Sequence, residues 1–143
     1  MSLRTVRATA RPESRNRLPA ALPAVLGADA LWDVLLGVAS GALAWPGRGR
    51  WLGLPTGGAW PVYALLAVGC LVFAALLVRA ARGRDRIRVA RLAALANAGA
   101  AAGAFAAGAL LQGTVRPGGT VVLVVAGAGC AAFAALEWLG AHG

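Results

Sequence analysis

Lysine is absent from this sequence, and all 14 of its basic residues are arginines. Charged residues make up only 13% of the chain, whereas hydrophobic residues make up 59% and the mean hydropathy is +0.71. Because an average soluble domain carries about a quarter charged residues, this composition excludes a large soluble domain. It indicates a multi-pass membrane protein, and the preference for arginine over lysine suggests a GC-rich bacterial genome.

The residues that most often build enzyme active sites are also scarce. The only histidine is His142 near the C-terminus, and Cys70 and Cys130 form no Cys-x-x-Cys pair. No spacing of histidine, cysteine and carboxylate predicts a metal site, and no nucleophile–histidine pair or cofactor motif is present. We therefore expect no metal and no cofactor, and we interpret the two cysteines as inert buried thiols.

Four apolar windows, at about 23–45, 59–79, 89–112 and 120–140, have the length of about 20 residues that a membrane-spanning helix needs. They are too long, and alternate too little, for the strands of a membrane barrel. The sequence predicts an all-α four-helix transmembrane bundle over residues 23–143, preceded by a basic tail at 1–22. The prolines are expected at or outside the helix edges, where they end helices rather than kink them.

The distribution of arginine predicts the orientation in the membrane. Eleven arginines precede the first window or surround the connection between the second and third windows, and three lie on the other side. The positive-inside rule then places both termini in the cytoplasm of a bacterial inner membrane. Because topology explains the basic charge, we expect membrane lipid and no nucleic acid as a partner. The eleven are Arg4, Arg7, Arg11, Arg15, Arg17, Arg79, Arg82, Arg84, Arg86, Arg88 and Arg91, and the three are Arg48, Arg50 and Arg116.

Polar side chains inside the apolar windows are the candidate functional residues. Asp29 and Asp33 lie one helical turn apart in the first window, Asn97 lies in the third, and Glu137 lies near the end of the fourth. At 1.5 Å per residue, all four fall in the cytoplasmic half of the membrane. Acids at such depth are costly and usually face a bundle interior or a wet cavity.

We predict that Asp29, Asp33 and Glu137 are catalytic acids or bases at a cavity for a lipophilic small molecule. Because two carboxylates in a medium of low dielectric constant cannot both ionise cheaply, one of them can donate a proton while the other accepts one. The predicted substrate-binding residues are Trp32, Asn97, Ser40 and Phe133. Structural roles remain open: Asp29 could cap a helix, and Glu137 could pair with an arginine such as Arg79 or Arg82.

An internal repeat relates the second and fourth windows, since Gly69-Cys70-Leu-Val-Phe73 recurs as Gly129-Cys130-Ala-Ala-Phe133. The first and third windows match at Gly41-Ala-Leu43 and Gly108-Ala-Leu110, which aligns Ala30 with Asn97. The alignment of the second and fourth windows places Leu77 at the position of Glu137. A true repeat would make two parallel hairpins about an axis along the membrane normal. Chance in a sequence rich in alanine, leucine and glycine is the alternative.

Three classes of function are compatible with these residues. The first is an enzyme of isomerase, cyclase or epoxide-opening type, which needs only acid/base groups. The second is a proton-coupled small-molecule transporter, which in so short a chain implies a homodimer. The third is an accessory membrane subunit whose acids pair with a partner's arginines.

The aspartate-bearing first helix, the Leu52-Gly53-Leu54-Pro55 connection, Asn97 and Glu137 resemble small four-helix membrane proteins of actinobacteria, broadly DoxX-like. The resemblance covers residues 24–140. It implies the four-helix fold, and it implies no settled activity.

Overall fold

The computed structural model describes residues 17–46, 48–54, 59–83 and 85–143. In this part of the chain every long element is a helix: α1 (Arg17–Ala44), α2 (Trp60–Arg82), α3 (Arg86–Leu110) and α4 (Pro117–His142), with a short 3₁₀ turn at Arg50–Leu52. All four long helices are long and apolar enough to cross a membrane. The predicted fold class, a four-helix transmembrane bundle, is confirmed. The first 16 residues of the predicted basic tail lie outside the described residues.

Helix α1 begins at Arg17 and not at residue 23, so the expectation that no proline lies inside a helix is wrong for Pro23. Proline cannot donate the hydrogen bond to the carbonyl four residues earlier, and Pro23 is the seventh residue of α1, beyond the first four whose N–H groups have no partner in any helix. The helix therefore continues past Pro23 with one hydrogen bond fewer. Pro61 and Pro117 behave as expected, because each lies in the first turn of its helix.

The helices pack as two hairpins. Helix α1 packs along α2, α3 packs along α4, and contacts between α1 and α4 join the hairpins, whereas α2 and α3 touch at few places. The α1–α2 approach is close at Gly37, where an added Cβ would lie 3.1 Å from Leu71 Cγ and 3.2 Å from the Ala67 carbonyl oxygen. A glycine there lets two backbones come together as small residues do in membrane bundles.

A second link between the hairpins lies at the end of the bundle away from the chain termini. The backbone N–H of Arg116, just before α4, donates to the carbonyl of Leu52 at 3.0 Å. Gly53, which follows Leu52, has φ of +69°, a conformation that glycine adopts without strain. An added Cβ on Gly53 would lie 2.6 Å from the Arg116 nitrogen, so this contact also needs glycine.

One face of α1 and one face of α3 carry buried side chains with the same spacing. In α1 the buried positions from residue 26 onward are Leu26, Asp29, Ala30, Asp33 and Gly37, and in α3 they are Ala90, Ala93, Ala94, Asn97 and Ala101. The side chains of Leu31 and Leu35, by contrast, are 62% and 56% exposed, as expected for a lipid-facing side. The spacing of three and four residues is that of one helix face.

The repeat alignment expected between α1 and α3 therefore differs from the one that the buried faces give. In the latter, the residue of α1 that corresponds to Asn97 is Asp33 and not Ala30. Contacts to the partner helices agree with this register. A Cβ on Gly41 would lie 3.7 Å from Ala67 of α2. Gly41 corresponds to Phe105 of α3 and Ala67 to Gly127 of α4, and a Cβ on Gly127 would likewise meet Phe105. The expected correspondence of Leu77 in α2 with Glu137 in α4 fits the structure, since both side chains are fully buried.

Candidate functional site: a buried carboxylate cluster beside a lateral cavity

Three helices bring Asp29, Asn97 and Glu137 together inside the bundle. The side-chain nitrogen of Asn97 donates to Asp29 Oδ2 at 2.8 Å and to Glu137 Oε2 at 3.1 Å. Asp29 and Glu137 are 0% exposed and Asn97 is 3% exposed. The predicted interior position of these polar groups is thus confirmed, and both amide hydrogens of Asn97 are used in holding the two acids.

The cluster carries more acceptors than donors. Asp29 Oδ1 and Glu137 Oε1 are buried, and neither has a hydrogen-bond partner among the described residues. The two oxygens bound to Asn97 are no more than about 6 Å apart, so two full negative charges there would repel by at least about 3 kcal/mol at an effective dielectric constant of 20. A proton shared within the cluster removes this repulsion, so the arrangement is suited to holding and passing a proton.

Neither structural alternative for these acids describes the structure. Asp29 lies deep within α1 and therefore does not cap the helix. Glu137 is held by Asn97, and within the described ranges no arginine is hydrogen-bonded to it. Arg79 and Arg82 instead lie on the exposed surface at the end of α2.

Asp33 lies one turn along α1 from Asp29 and lines a cavity of about 440 Å³. Its side chain is 5% exposed, and its Oδ2 has no hydrogen-bond partner among the residues described. Asn97 also lines this cavity, so the amide that holds the cluster forms part of the cavity wall. Of the three predicted catalytic acids, Asp33 is the one that the cavity reaches.

The cavity lies between α2 and α3, where the two hairpins touch least. Most of its wall is apolar, and the outer part is formed by Val62, Leu65 and Leu66 of α2, whose side chains are 57%, 73% and 51% exposed. In a membrane these exposed side chains face lipid. The cavity therefore opens sideways toward the lipid phase, and its polar residues Asp33 and Asn97 lie at the inner end.

Three predicted substrate-binding residues lie outside this cavity. Trp32 and Phe133 pack against each other between α1 and α4, with ring centroids 6.5 Å apart. Ser40 is half-buried almost two turns beyond Asp33 and does not line the cavity. These three residues do not line the cavity, and their role in substrate binding stays a prediction, because a shared helix and proximity in sequence do not decide which crevice between helices stays open.

The cavity residues that the sequence analysis missed are mainly on α2. Gly69, Cys70 and Phe73 form much of the wall, and Cys130 of α4 contributes as well. Their signal is the repeated Gly-Cys-x-x-Phe segment, whose pattern indicates a repeat and does not by itself indicate a binding surface. Cys70 and Cys130 both border the cavity, a position that the expectation of two inert buried thiols did not include.

In the described part of the chain, no group of three or more histidine, cysteine or acidic side chains is placed to hold a metal ion. Comparisons of the chain with models of known families, with curated proteins and with solved structures find no significant match. The arrangement of the site must therefore be interpreted from its own residues.

Proposed function

We propose that this membrane protein catalyses acid/base chemistry on a lipophilic small molecule that enters the α2–α3 cavity from the lipid phase. The observation that carries the proposal is the position of Asp33: it is a buried carboxylate with a free acceptor oxygen, at the inner end of a mostly apolar cavity. Such a cavity with few convergent polar groups is typical of a small-molecule site. The reaction class is isomerisation, cyclisation or epoxide opening.

In this mechanism Asp33 is the catalytic residue, and Asp29, Asn97 and Glu137 are positioning residues behind it. For a double-bond shift in a ketone, the Asp33 carboxylate removes a proton from the carbon between the carbonyl and the alkene. The electron pair of the broken C–H bond is delocalised into a dienolate. The resulting Asp33 acid returns the proton to the far alkene carbon, where that electron pair forms the new C–H bond and the carbonyl is restored, so no other reactant is consumed. The Asn97-bound acids supply a fixed polar environment that can exchange a proton with Asp33.

We further propose that both termini lie in the cytoplasm of a bacterial inner membrane. The arginine distribution supports this orientation. Glu137 lies five residues before His142, the last residue of α4, which is about 8 Å along a helix. The carboxylate cluster would then lie in the cytoplasmic leaflet, and a lipophilic substrate would arrive from that leaflet.

The test uses a cyclic β,γ-unsaturated ketone in phosphatidylcholine nanodiscs, because its conjugated product absorbs in the ultraviolet. We expect turnover by the wild type and a loss of about 10²–10⁴-fold in Asp33→Asn, which keeps the size and hydrogen bonding of the side chain but removes the acid/base group. Asp85→Asn, at an exposed position before α3, is the matched control and should retain full turnover. Full turnover by folded Asp33→Asn would overturn the proposal.

A second candidate, a proton-coupled transporter, is favoured by one observation: the interface between α2 and α3 is sparse, so the two hairpins could move apart around Asp33. This function would require a homodimer for alternating access. Proteoliposomes with a pH gradient distinguish the two candidates. A transporter would dissipate the gradient when a quaternary ammonium cation, which does not cross lipid as a neutral base, is added, and it would leave the cation unchanged. The proposed enzyme, like protein-free liposomes, would leave the gradient intact.

A further inference from the structure

The crevice between α1 and α4 is filled by an aromatic ring of the protein itself. The indole of Trp32 lies across Gly129, where an added Cβ would overlap the ring, and it packs against Phe133 with centroids 6.5 Å apart. A glycine as the floor and a phenylalanine at the side thus form a slot for a flat ring.

The same slot occurs between α2 and α3, but without its ring. In the register given by the buried faces, Trp32 of α1 corresponds to Ala96 of α3, while Gly129 and Phe133 of α4 correspond to Gly69 and Phe73 of α2. These three counterparts, Ala96, Gly69 and Phe73, all line the 440 Å³ cavity. An added Cβ on Gly69 would meet nothing within 4 Å. The cavity therefore corresponds to the slot that Trp32 fills between α1 and α4, and it is open because Ala96 stands where that slot has tryptophan.

We propose that this cavity binds a planar fused-ring molecule of indole type that carries a hydrogen-bond donor for Asp33. The proposal rests on the proposed function and names its substrate class. The ring would lie over Gly69 beside Phe73, as Trp32 lies over Gly129 beside Phe133. Because small-molecule sites begin at about 300 Å³, 440 Å³ leaves room for substituents on the ring.

Asp33 supplies the polar half of the recognition. Its side chain is 5% exposed, it lines the cavity, and its Oδ2 has no hydrogen-bond partner among the described residues. A carboxylate with so few partners is costly to bury, and a ligand N–H, O–H or ammonium group in the cavity would donate to its exposed edge. A lipid acyl chain would fill apolar space but offer no donor, so a ring with a donor fits better.

The experiment measures binding of 5-fluoro-3-methylindole, the fluorinated side chain of tryptophan, by ¹⁹F NMR in phosphatidylcholine nanodiscs. Empty nanodiscs correct for partition into lipid. We expect saturable binding at one site per chain. Methylation of the ring nitrogen should weaken binding at least tenfold, because it removes the donor for Asp33.

Ala96→Trp supplies the missing ring from the protein and should weaken binding at least tenfold. The matched control is Ala106→Trp on the same helix, since Ala106 is exposed and does not line the cavity; its binding should equal that of the wild type. Trp32→Ala empties the other slot, where the ring nitrogen of Trp32 has no hydrogen-bond partner among the described residues. It should therefore add a second, weaker site whose affinity N-methylation does not change and raise the stoichiometry from one to two, a result that does not depend on Ala96→Trp folding.

Absence of saturable binding, equal binding of the N-methylated probe, or a stoichiometry of one in folded Trp32→Ala would overturn the inference. These results are separable from the proposed function. Asp33-dependent turnover of the ketone without indole binding would retain the acid/base function and reject the ring-shaped substrate. Indole binding without any Asp33-dependent turnover would retain the site and reject the chemistry.

Discussion

Replacing Asn97 by leucine removes both hydrogen bonds that hold the acid cluster and should destabilise the protein by about 3 kcal/mol. Hydrogen bonds between transmembrane helices contribute about 0.6 kcal/mol on average and up to about 1.7, and bonds to charged groups contribute about 1.5–3. The lost bonds measure 2.8 Å to Asp29 and 3.1 Å to Glu137, and both acids would remain buried without a donor. Steric trapping in bicelles measures the free energy of unfolding.

A double-mutant cycle with Glu137→Leu makes this prediction specific. Leucine is the residue that the repeat places at the equivalent position of α2, Leu77, and that side chain is fully buried. Because one bond is shared, the double variant should be less destabilised than the sum of the single variants, by about 1–2 kcal/mol. Gln112→Leu, at an exposed position after α3, should change stability by no more than about 0.5 kcal/mol. Additive single effects would refute the reasoning that Asn97 holds Glu137.

Gly37→Val should destabilise the bundle by about 1–3 kcal/mol in the same unfolding assay, because its side chain would press on Leu71 and the Ala67 carbonyl. Gly27→Val, at a position of α1 with nothing within 4 Å, is the control, and equal effects of the two would contradict the close α1–α2 approach. For the orientation, single cysteines replacing Arg48 and Arg86 in a chain without Cys70 and Cys130 should be labelled from opposite sides. Labelling of position 48 from the cytoplasm would invert the proposed topology.

Hydropathy was sufficient to predict the fold, because helices surrounded by lipid carry apolar side chains on their outer faces as well as inside. Each helix therefore forms a long apolar window in the sequence. The number and order of the helices followed from four apolar windows. The start of α1 did not, since Pro23 marked a plausible boundary and the helix continues back to Arg17. Propensity alone does not tell whether a proline lies in the first turns of a helix or just before it.

The polar core was also predictable from the sequence. Asp29, Asp33, Asn97 and Glu137 cost too much free energy in lipid to face outward, so their inward position followed from their depth in the apolar windows. Which of them lines a cavity did not follow. That depends on which crevice between helices is empty, and hence on the difference in size between Trp32 and Ala96. The correspondence of these two residues became visible only from the buried faces of α1 and α3.

Modification by dicyclohexylcarbodiimide tests the central claim most directly, because this lipophilic reagent approaches from the membrane and reacts with the protonated form of a carboxyl group. A residue that alternates between acid and carboxylate during catalysis presents that form to the reagent. Mass spectrometry of the digested protein locates the stable N-acylurea adduct. We predict the adduct on Asp33, which lines the lateral cavity, and its loss in Ala96→Trp but not in Ala106→Trp. An adduct on Asp29 or Glu137 with Asp33 unmodified would contradict the account, because these two acids lie behind Asn97 and away from the cavity wall.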